Sequence, residues 1–350
     1  MEDGGLAGWL VPSEFMDVNY GASVKRYLLD KVTLLHIHRF DPSEVQFGDA
    51  LVSSAIVWLR KEKPPHNHVV RFTYGGSLEN PKADRLVQVE ALRRDPKWTR
   101  YPMSENRTET HAPVLADFFR IKRGLVTGNN KYFVLSAEEI ERRGLPQEVF
   151  RPLLPSPRYL PENEVAADSD GNPVLDRRLF LLDCKLKETE IRKRYPKLWT
   201  YLSQGKKQGI PEGYLCQRRT PWYAQENRPP APFVCTYLGR TGTKNGNPFR
   251  FILNHSRATA ANVYLMLYPK EALARALRND PDLKRRIWTF LNDISPATML
   301  NEGRVYGGGL HKLEPKELGN VPATAIANLL PDAAPARRRE QGELFGVGVA

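Results

Sequence analysis

The sequence predicts an α/β fragment followed by an α+β domain. Three observations predict it. Short apolar runs alternate with one helical stretch over the first 60 residues. A Pro-, polar- and charge-rich stretch follows over 61–115. From about Val114 onward, short mixed strands and helices carry the whole excess of positive charge. At 350 residues, with 41% hydrophobic and 26% charged, the chain has the composition of a globular protein of about two domains.

The elements follow in order. Leu6–Val11 (LAGWLV) is an apolar run closed by Pro12 and reads as a buried strand. Tyr20–Leu29 places Val24, Tyr27 and Leu28 at helical spacing. Thr33–Phe40 and Leu51–Leu59 read as two further strands, joined by the loop Asp41–Ala50. Only one crossover is present, so residues 1–63 are expected to be a few strands of a larger sheet. Lys61-Glu-Lys-Pro-Pro65 opens a linker or bridge expected over 64–113, with possible strands at Val69–Phe72 and Leu86–Leu92. Arg93–His111 reads as too polar for a core element. A second domain is expected over 114–330. Within it, Ser136 followed by Glu139 and closed by Gly144 has the pattern of a capped helix. Charged helices are expected at Lys185–Arg194, Lys270–Leu277 and Pro281–Leu291. Residues 331–350 lack periodicity and read as a flexible tail.

The net charge is +12. Residues 1–115 hold 15 Lys and Arg against 15 Asp and Glu, while 116–350 hold 37 against 25. A basic second part argues for a polyanionic partner. No run of 18 apolar residues exists to span a membrane, and the N-terminus has no signal-peptide pattern. Cys184, Cys216 and Cys235 are odd in number, widely spaced and without a Cys-x-x-Cys pair, which fits reduced thiols in a cytoplasm. His36 with His38, and His66 with His68, lack acidic or thiol neighbours at ligand spacing, so no metal site is expected.

Four segments could carry function. Phe119–Leu135 (FRIKRGLVTGNNKYFVL) sets a glycine- and asparagine-rich turn among cations, a pattern suited to phosphate and base-edge contacts or to an ordinary hairpin. Lys187–Lys207 interleaves cations with Tyr195, Trp199 and Tyr201, which suits a nucleic-acid face or an amphipathic helix pair. Phe251–Tyr264 runs a strand into Asn254-His255-Ser256-Arg257. Arg304–Pro315 carries three successive glycines flanked by Tyr306, His311 and Lys312, allowing close backbone approach.

Five segments together resemble the C-terminal part of adenine-N6 DNA methyltransferases of restriction–modification systems, the Taq-type enzymes with a C-terminal target-recognition domain. They are GWLVPSEFMDVNYGASVKRYLL (8–29), FDPSEVQFGDALVSSAIVWLRK (40–61), DFFRIKRGLVTGNNKYFVLS (117–136), TPWYAQENRPPAPFVCTYLGR (220–240) and GRVYGGGLHKLEPKELGNVP (303–322). The resemblance implies that residues 1–63 are the last strands of a Rossmann-like methyltransferase sheet and that 114–330 form a DNA target-recognition domain. It implies S-adenosylmethionine as cofactor of the complete enzyme, duplex DNA as partner, and a target adenine flipped from the stack. The family's Phe-x-Gly-x-Gly and Asn/Asp-Pro-Pro-Tyr motifs do not occur in this sequence, so no cofactor-binding residue is assigned here. A separate N-terminal methyltransferase half is expected as partner, and the chain alone is expected to bind DNA without methylating it. A non-catalytic specificity subunit is the alternative. The resemblance places Phe47 against the flipped base. It places Lys122, Arg123, Thr127, Asn129, Asn130, His255, Ser256, Arg257, Tyr306 and Lys312 at the DNA.

Overall fold

The computed structural model describes residues 1–17, 21–42, 44, 46–47, 52–102, 112–240, 247–306 and 309–330. It divides into two compact units. Unit 1 is built from residues 1–111, 239–248 and 296–312, and unit 2 from 112–238, 249–295 and 313–350.

Unit 1 is organised on a five-stranded sheet of β1 (Leu6–Pro12), β2 (Thr33–Arg39), β3 (Ser54–Arg60), β4 (Val69–Gly76) and β5 (Pro81–Gln88), in the order β1-β3-β2-β4-β5. β3 runs antiparallel to both of its neighbours, and β2 pairs parallel with β4, so β1, β2 and β4 all point the same way. Helix α1 (Ala22–Asp30) turns Leu28 and Leu29 into the core. Gly21 precedes it at a position where a Cβ would lie 1.9 Å from the Phe15 carbonyl oxygen, so only glycine fits. Alternating side chains of the central strands, including Leu34, Ile37, Val57, Leu59, Val70 and Phe72, fill the core.

Four expectations for this region are corrected. Leu6–Val11, read as a buried strand, forms β1 with no buried residue, because it lies at the sheet edge. The stretch read as a linker supplies β4 and β5, which extend the sheet rather than leave it. The strand expected over Leu86–Leu92 ends at Gln88 and gives way to helix α2 (Val89–Arg94). Arg93–His111 is also not wholly polar surface. Trp98 is fully buried and Tyr101 nearly so, both against Phe72, with ring centroids 6.4 and 5.3 Å apart. The paired histidines are packed side chains. His36 Nε2 and His38 Nδ1 both meet Thr73 Oγ1, at 2.7 and 2.9 Å.

β1 is an edge strand with no charged residue in its seven, and its second edge meets no described strand. Leu6 and Leu10 are 66% and 47% exposed on it, and Trp9 stacks on the exposed Tyr27 of α1. Natural edges are normally blunted by charge or proline, and here only Pro12 at the last position does so.

Unit 2 holds β6 (Phe119–Arg123), β7 (Val134–Ser136), β8 (Phe150–Leu154), β9 (Glu164–Val165), β10 (Leu179–Leu182) and β11 (Phe233–Thr236). After the short β12 (Leu238–Arg240), whose Gly239 and Arg240 belong to unit 1, come β13 (Phe251–Asn254), β14 (Thr259–Ala260) and β15 (Tyr264–Pro269). They form a sheet of order β6-β15-β11-β13-β9 and a second of order β14-β8-β10-β7. The inner strands of the first sheet are buried on both faces and accordingly read as continuous apolar runs, FVCT, FILN and YLMLYP. Helices Glu188–Arg194 and Pro196–Lys207 pack on the second sheet, with Ile191, Leu198, Tyr201 and Leu202 in its core. The aromatics among the Lys187–Lys207 cations therefore face the core, as in the amphipathic helix pair. The expected capped helix forms as Ala137–Arg143. Ser136 Oγ accepts from the Glu139 amide, Glu139 Oε2 accepts from the Ser136 amide, and Gly144 closes it at φ 57°. Mixed sheets with helices on them agree with the expected α/β and α+β character.

Candidate functional site

The basic and polar residues of unit 2 separate into exposed side chains and side chains that hold turns. On β6, Lys122 is exposed, and the exposed Arg123 lays its guanidinium 4.1 Å from the Tyr237 ring centroid while Nε donates to the Asn262 carbonyl. In the following turn Thr127 is 1% exposed and donates to Asn130 Oδ1 at 2.5 Å. The Asn129 side-chain oxygen accepts from the Tyr132 amide, capping the short helix that follows. Arg219 clamps the same turn through the carbonyls of Val126 and Thr127, both at 2.7 Å. Asn130 is exposed.

The segment after β13 behaves similarly. Ser256 is buried, donates to Asn254 Oδ1 at 2.7 Å and accepts from the Ala258 amide. His255 is exposed and meets Glu164 Oε1 at 2.9 Å, and Arg257 is exposed and held by Asn172 Oδ1 at 3.0 Å. Arg285 and His255 together hold the Glu164 carboxyl below the usual carboxylate range. Thr127 and Ser256 are thus corrected from base-reading to turn-forming positions, because burial and internal bonds leave them nothing to offer a base. The strand register places Arg123 in the row of Leu265, Cys235 and Phe251, whereas His255 follows the opposite end of β13. The two segments leave the sheet at opposite ends.

Tyr306 and Lys312 belong to unit 1, on a hairpin of Arg304–Tyr306 with Leu310–Lys312, where Lys312 Nζ lies 5.8 Å from the Tyr306 ring centroid. Gly307 and Gly308 lie outside the described residues. Phe47 is half-buried in the loop between β2 and β3.

Unit 1 also contains a cleft of about 400 Å³ that no sequence motif announced. It opens where β1, β2 and β4 end: Ser13 and Glu14 follow β1, Arg39 and Asp41 lie at the end of β2, and Tyr74 sits near the end of β4. Ligands of α/β sheets bind at such carboxyl ends. Both Glu14 carboxyl oxygens are buried and without a hydrogen-bond partner, and burial, reinforced by Asp17, pushes its pKa above the ordinary value. Arg39 is buried. Its Nη1 donates to the Thr99 carbonyl at 2.6 Å, its guanidinium lies 4.7 Å from the Tyr74 ring centroid, and its Nε has no partner. Tyr74 donates to Asp41 Oδ2, and burial with Asp41 pushes its hydroxyl up to about 12. The Lys97 ammonium donates to the carbonyls of Asn301, Glu302 and Gly303 at 2.8, 2.6 and 2.7 Å. The only sequence signal for this cleft is the placement of polar residues immediately after apolar strands.

No group of three or more His, Cys, Asp or Glu side chains among the described residues could hold a metal ion, and no described helix is long and apolar enough to cross a membrane. The turn after β1 is filled by the buried side chains of Ser13, Phe15 and Met16 and offers no glycine cradle.

The class this fold and site define is fixed by comparison with known proteins. Residues 97–341 match the family model for the C-terminal domain of Type II methyltransferase M.Eco57I. The chain belongs to that family, and hence to the C-terminal part of restriction–modification DNA methyltransferases. It is similar to Type II methyltransferase M.XamI of Xanthomonas campestris pv. amaranthicola, with 28% identity over 93% of this chain and 58% of the relative. It is also similar to Type II methyltransferase M.AccI of Acinetobacter calcoaceticus, with 24% identity over 91% of this chain and 58% of the relative. The chain therefore spans about three fifths of the length of these relatives. A solved structure of the Type IIL restriction–modification enzyme MmeI in complex with DNA covers 91% of this chain, and the chain covers 38% of it, at TM-score 0.48 and 11% identity.

Proposed function

We propose that this chain supplies DNA recognition and part of the flipped-base pocket for a methyltransferase that moves a methyl group from S-adenosylmethionine to adenine N6 in duplex DNA. The cofactor and the Asn-Pro-Pro-Tyr loop belong to a further methyltransferase segment that adjoins the open edge of β1. The observation that carries the reading is the family match over 97–341, two thirds of the chain and most of its basic half. Two features support it. The exposed Lys122, Arg123, Asn130, His255 and Arg257 of unit 2, with Tyr306 and Lys312 of unit 1, provide cations and amides for phosphates and base edges. The uncharged edge of β1, which pairs with no described strand, is the geometry of an unfinished sheet. Phe47 stacks on the flipped adenine.

The test has two parts. The chain is titrated with duplex DNA by fluorescence anisotropy at rising salt, and the affinity is expected to fall steeply because phosphate contacts release counterions. Methyl transfer is then measured with the chain alone and with an N-terminal methyltransferase segment supplied. Transfer only in the second case supports the reading. Salt-dependent binding without transfer in either case favours a non-catalytic specificity subunit, and no duplex binding at low salt removes both.

A further inference from the structure

We propose that Tyr214, stacked on Arg218 at the tip of the loop over residues 209–219, is a wedge that enters DNA and stacks on its bases. The inference rests on the DNA reading above and deepens it.

The loop is a rigid mount within unit 2. A short 3-10 turn at Ile210–Glu212 opens it and another at Cys216–Arg218 closes it, with Tyr214 between them. The amides of Gln217 and Arg218 donate to the carbonyls of Gly213 and Leu215 at 3.0 and 3.3 Å. Cys216 is buried in the core beneath. Arg219 donates to the carbonyls of Val126 and Thr127, and a Cβ on Gly128 would lie 3.3 Å from Leu215 Cβ and 3.5 Å from Cys216 Sγ. The loop is thereby fastened to the turn that follows β6. A side chain on such a mount meets a partner without first having to be ordered.

Tyr214 is 69% exposed, the most of the large apolar side chains described in unit 2. A single exposed apolar residue is ordinary, but the surroundings of this one are not. The Arg218 guanidinium carbon lies 3.5 Å from the ring centroid, a separation reachable only over the ring face, and Nη1 donates to the Tyr214 carbonyl at 3.3 Å. One face of the ring is covered by a planar cation, and the exposure leaves the other open to a third layer. Residues 119–133 and 204–220, which make up the turn and the loop, hold eight Lys and Arg and one acidic residue, Glu212. Lys122, Lys131, Lys207 and Arg218 among them are exposed.

These features decide the class of partner. A simple phosphate would engage the cations and leave the ring in water. An apolar protein surface would cover the ring but strip water from the cations, which is costly. DNA supplies phosphates for the cations and flat base faces for the ring, and side chains enter a duplex by parting a base step. Parting a step is easiest where pairing is already broken.

The experiment uses the full chain and two DNA probes: a fully paired duplex and the same duplex with two adjacent T·T mismatches, which free no adenine for a flipped-base pocket. The quantity read is the ratio of affinities for mismatched over paired duplex within each variant, so a general change in folding or affinity cancels. Wild type is expected to favour the mismatched duplex by about tenfold, the order of one base–aromatic stack. Tyr214→Ala is expected to bring the ratio to about one with the salt dependence unchanged, because no cation is removed. Tyr214→Phe, which keeps the ring, is expected to retain most of the preference. A wild-type ratio near one, an Ala variant that keeps the preference, or a Phe variant that loses it as fully as Ala would each overturn the inference. If both duplexes are bound equally in a salt-dependent way, this inference fails and the DNA reading stands. If neither probe is bound at low salt, both fail.

Discussion

Tyr132 and Tyr201 bond to one another reciprocally. The Tyr132 hydroxyl donates to the Tyr201 carbonyl at 3.2 Å, the Tyr201 hydroxyl donates to the Tyr132 carbonyl at 2.6 Å, and the rings stack with centroids 4.8 Å apart. This ties the turn holding Asn129 and Asn130 to helix Pro196–Lys207. The same helix has Gly205 against the Tyr132 ring, where a Cβ would approach ring and hydroxyl atoms to 2.3–2.7 Å. Glycine to alanine in a helix interior ordinarily stabilises by about 0.5–1 kcal/mol. Here overpacking of a locked ring outweighs that gain, and Gly205→Ala is expected to destabilise by about 1–3 kcal/mol in urea unfolding. A neutral or stabilising result would mean that the tyrosine pair yields.

Lys97 is a structural cation. Its ammonium caps the last carbonyls of helix Pro296–Glu302 with three hydrogen bonds while almost wholly buried. Lys97→Met keeps the stem and removes the donors. A cost of about 3 kcal/mol is expected, since bonds to a charged group are worth about 1.5–3 kcal/mol each and the carbonyls are left bare. Denaturant titration of the variant checks it, and a loss below the measurement error would show that water replaces the ammonium.

His36 is expected to make unit 1 acid-sensitive. Burial, with Arg71 adding repulsion, pushes its pKa from 6.5 down to about 4. The unfolded chain therefore takes up the proton first as pH falls, and the stability held above pH 6.5 declines between about 6.5 and 4. Thermal melts across that range are expected to show a shallower decline in His36→Gln than in wild type. Parallel curves would assign the acid sensitivity elsewhere.

Glu14 has the opposite sign. Its pKa is raised from 4.5, so the folded state binds the proton more tightly, and stability declines as pH rises from about 4.5 through the folded value. Glu14→Gln, which cannot ionise, is expected to gain stability over wild type between acid and neutral pH. A difference that does not change with pH would mean that the carboxyl is solvated.

On the proposed function, Lys122 and Arg257 offer a test that separates positioning from reading. If Lys122 touches only phosphate, Lys122→Ala should weaken all sequences alike and reduce the salt slope by about one. Arg257→Ala should instead relax sequence preference if the guanidinium reaches a base edge. Equal losses on every sequence for both variants would leave the reading of bases to other side chains.

Local signals were legible and long-range ones were not. The Ser136–Glu139 box and Gly144 cap read correctly because every group involved lies within nine residues. Trp98 and Tyr101 sit in a polar stretch whose burial depends on Phe72, more than 20 residues earlier in the chain. Thr127 and Ser256 carried the chemistry of base contacts, but a hydroxyl that holds a turn and one that reads a base look the same until burial is known. No local pattern marks the cleft, because its walls come from residues 13–17, 39–42, 53, 74, 97–100, 300–305, 309 and 311.

Unit 1 is drawn from three stretches of chain and interrupted by most of unit 2. Genetic exchange between relatives therefore has no safe single crossover. A recombinant joined once near residue 112 would bring Lys97 from one parent to helix carbonyls 301–303 from the other. A clean swap must move 112–238 and 249–295 together, because their strands share one sheet, while 239–248 and 296–312 stay with unit 1. If unit 2 recognises DNA as proposed, change in the sequence recognised should be inherited as paired breakpoints.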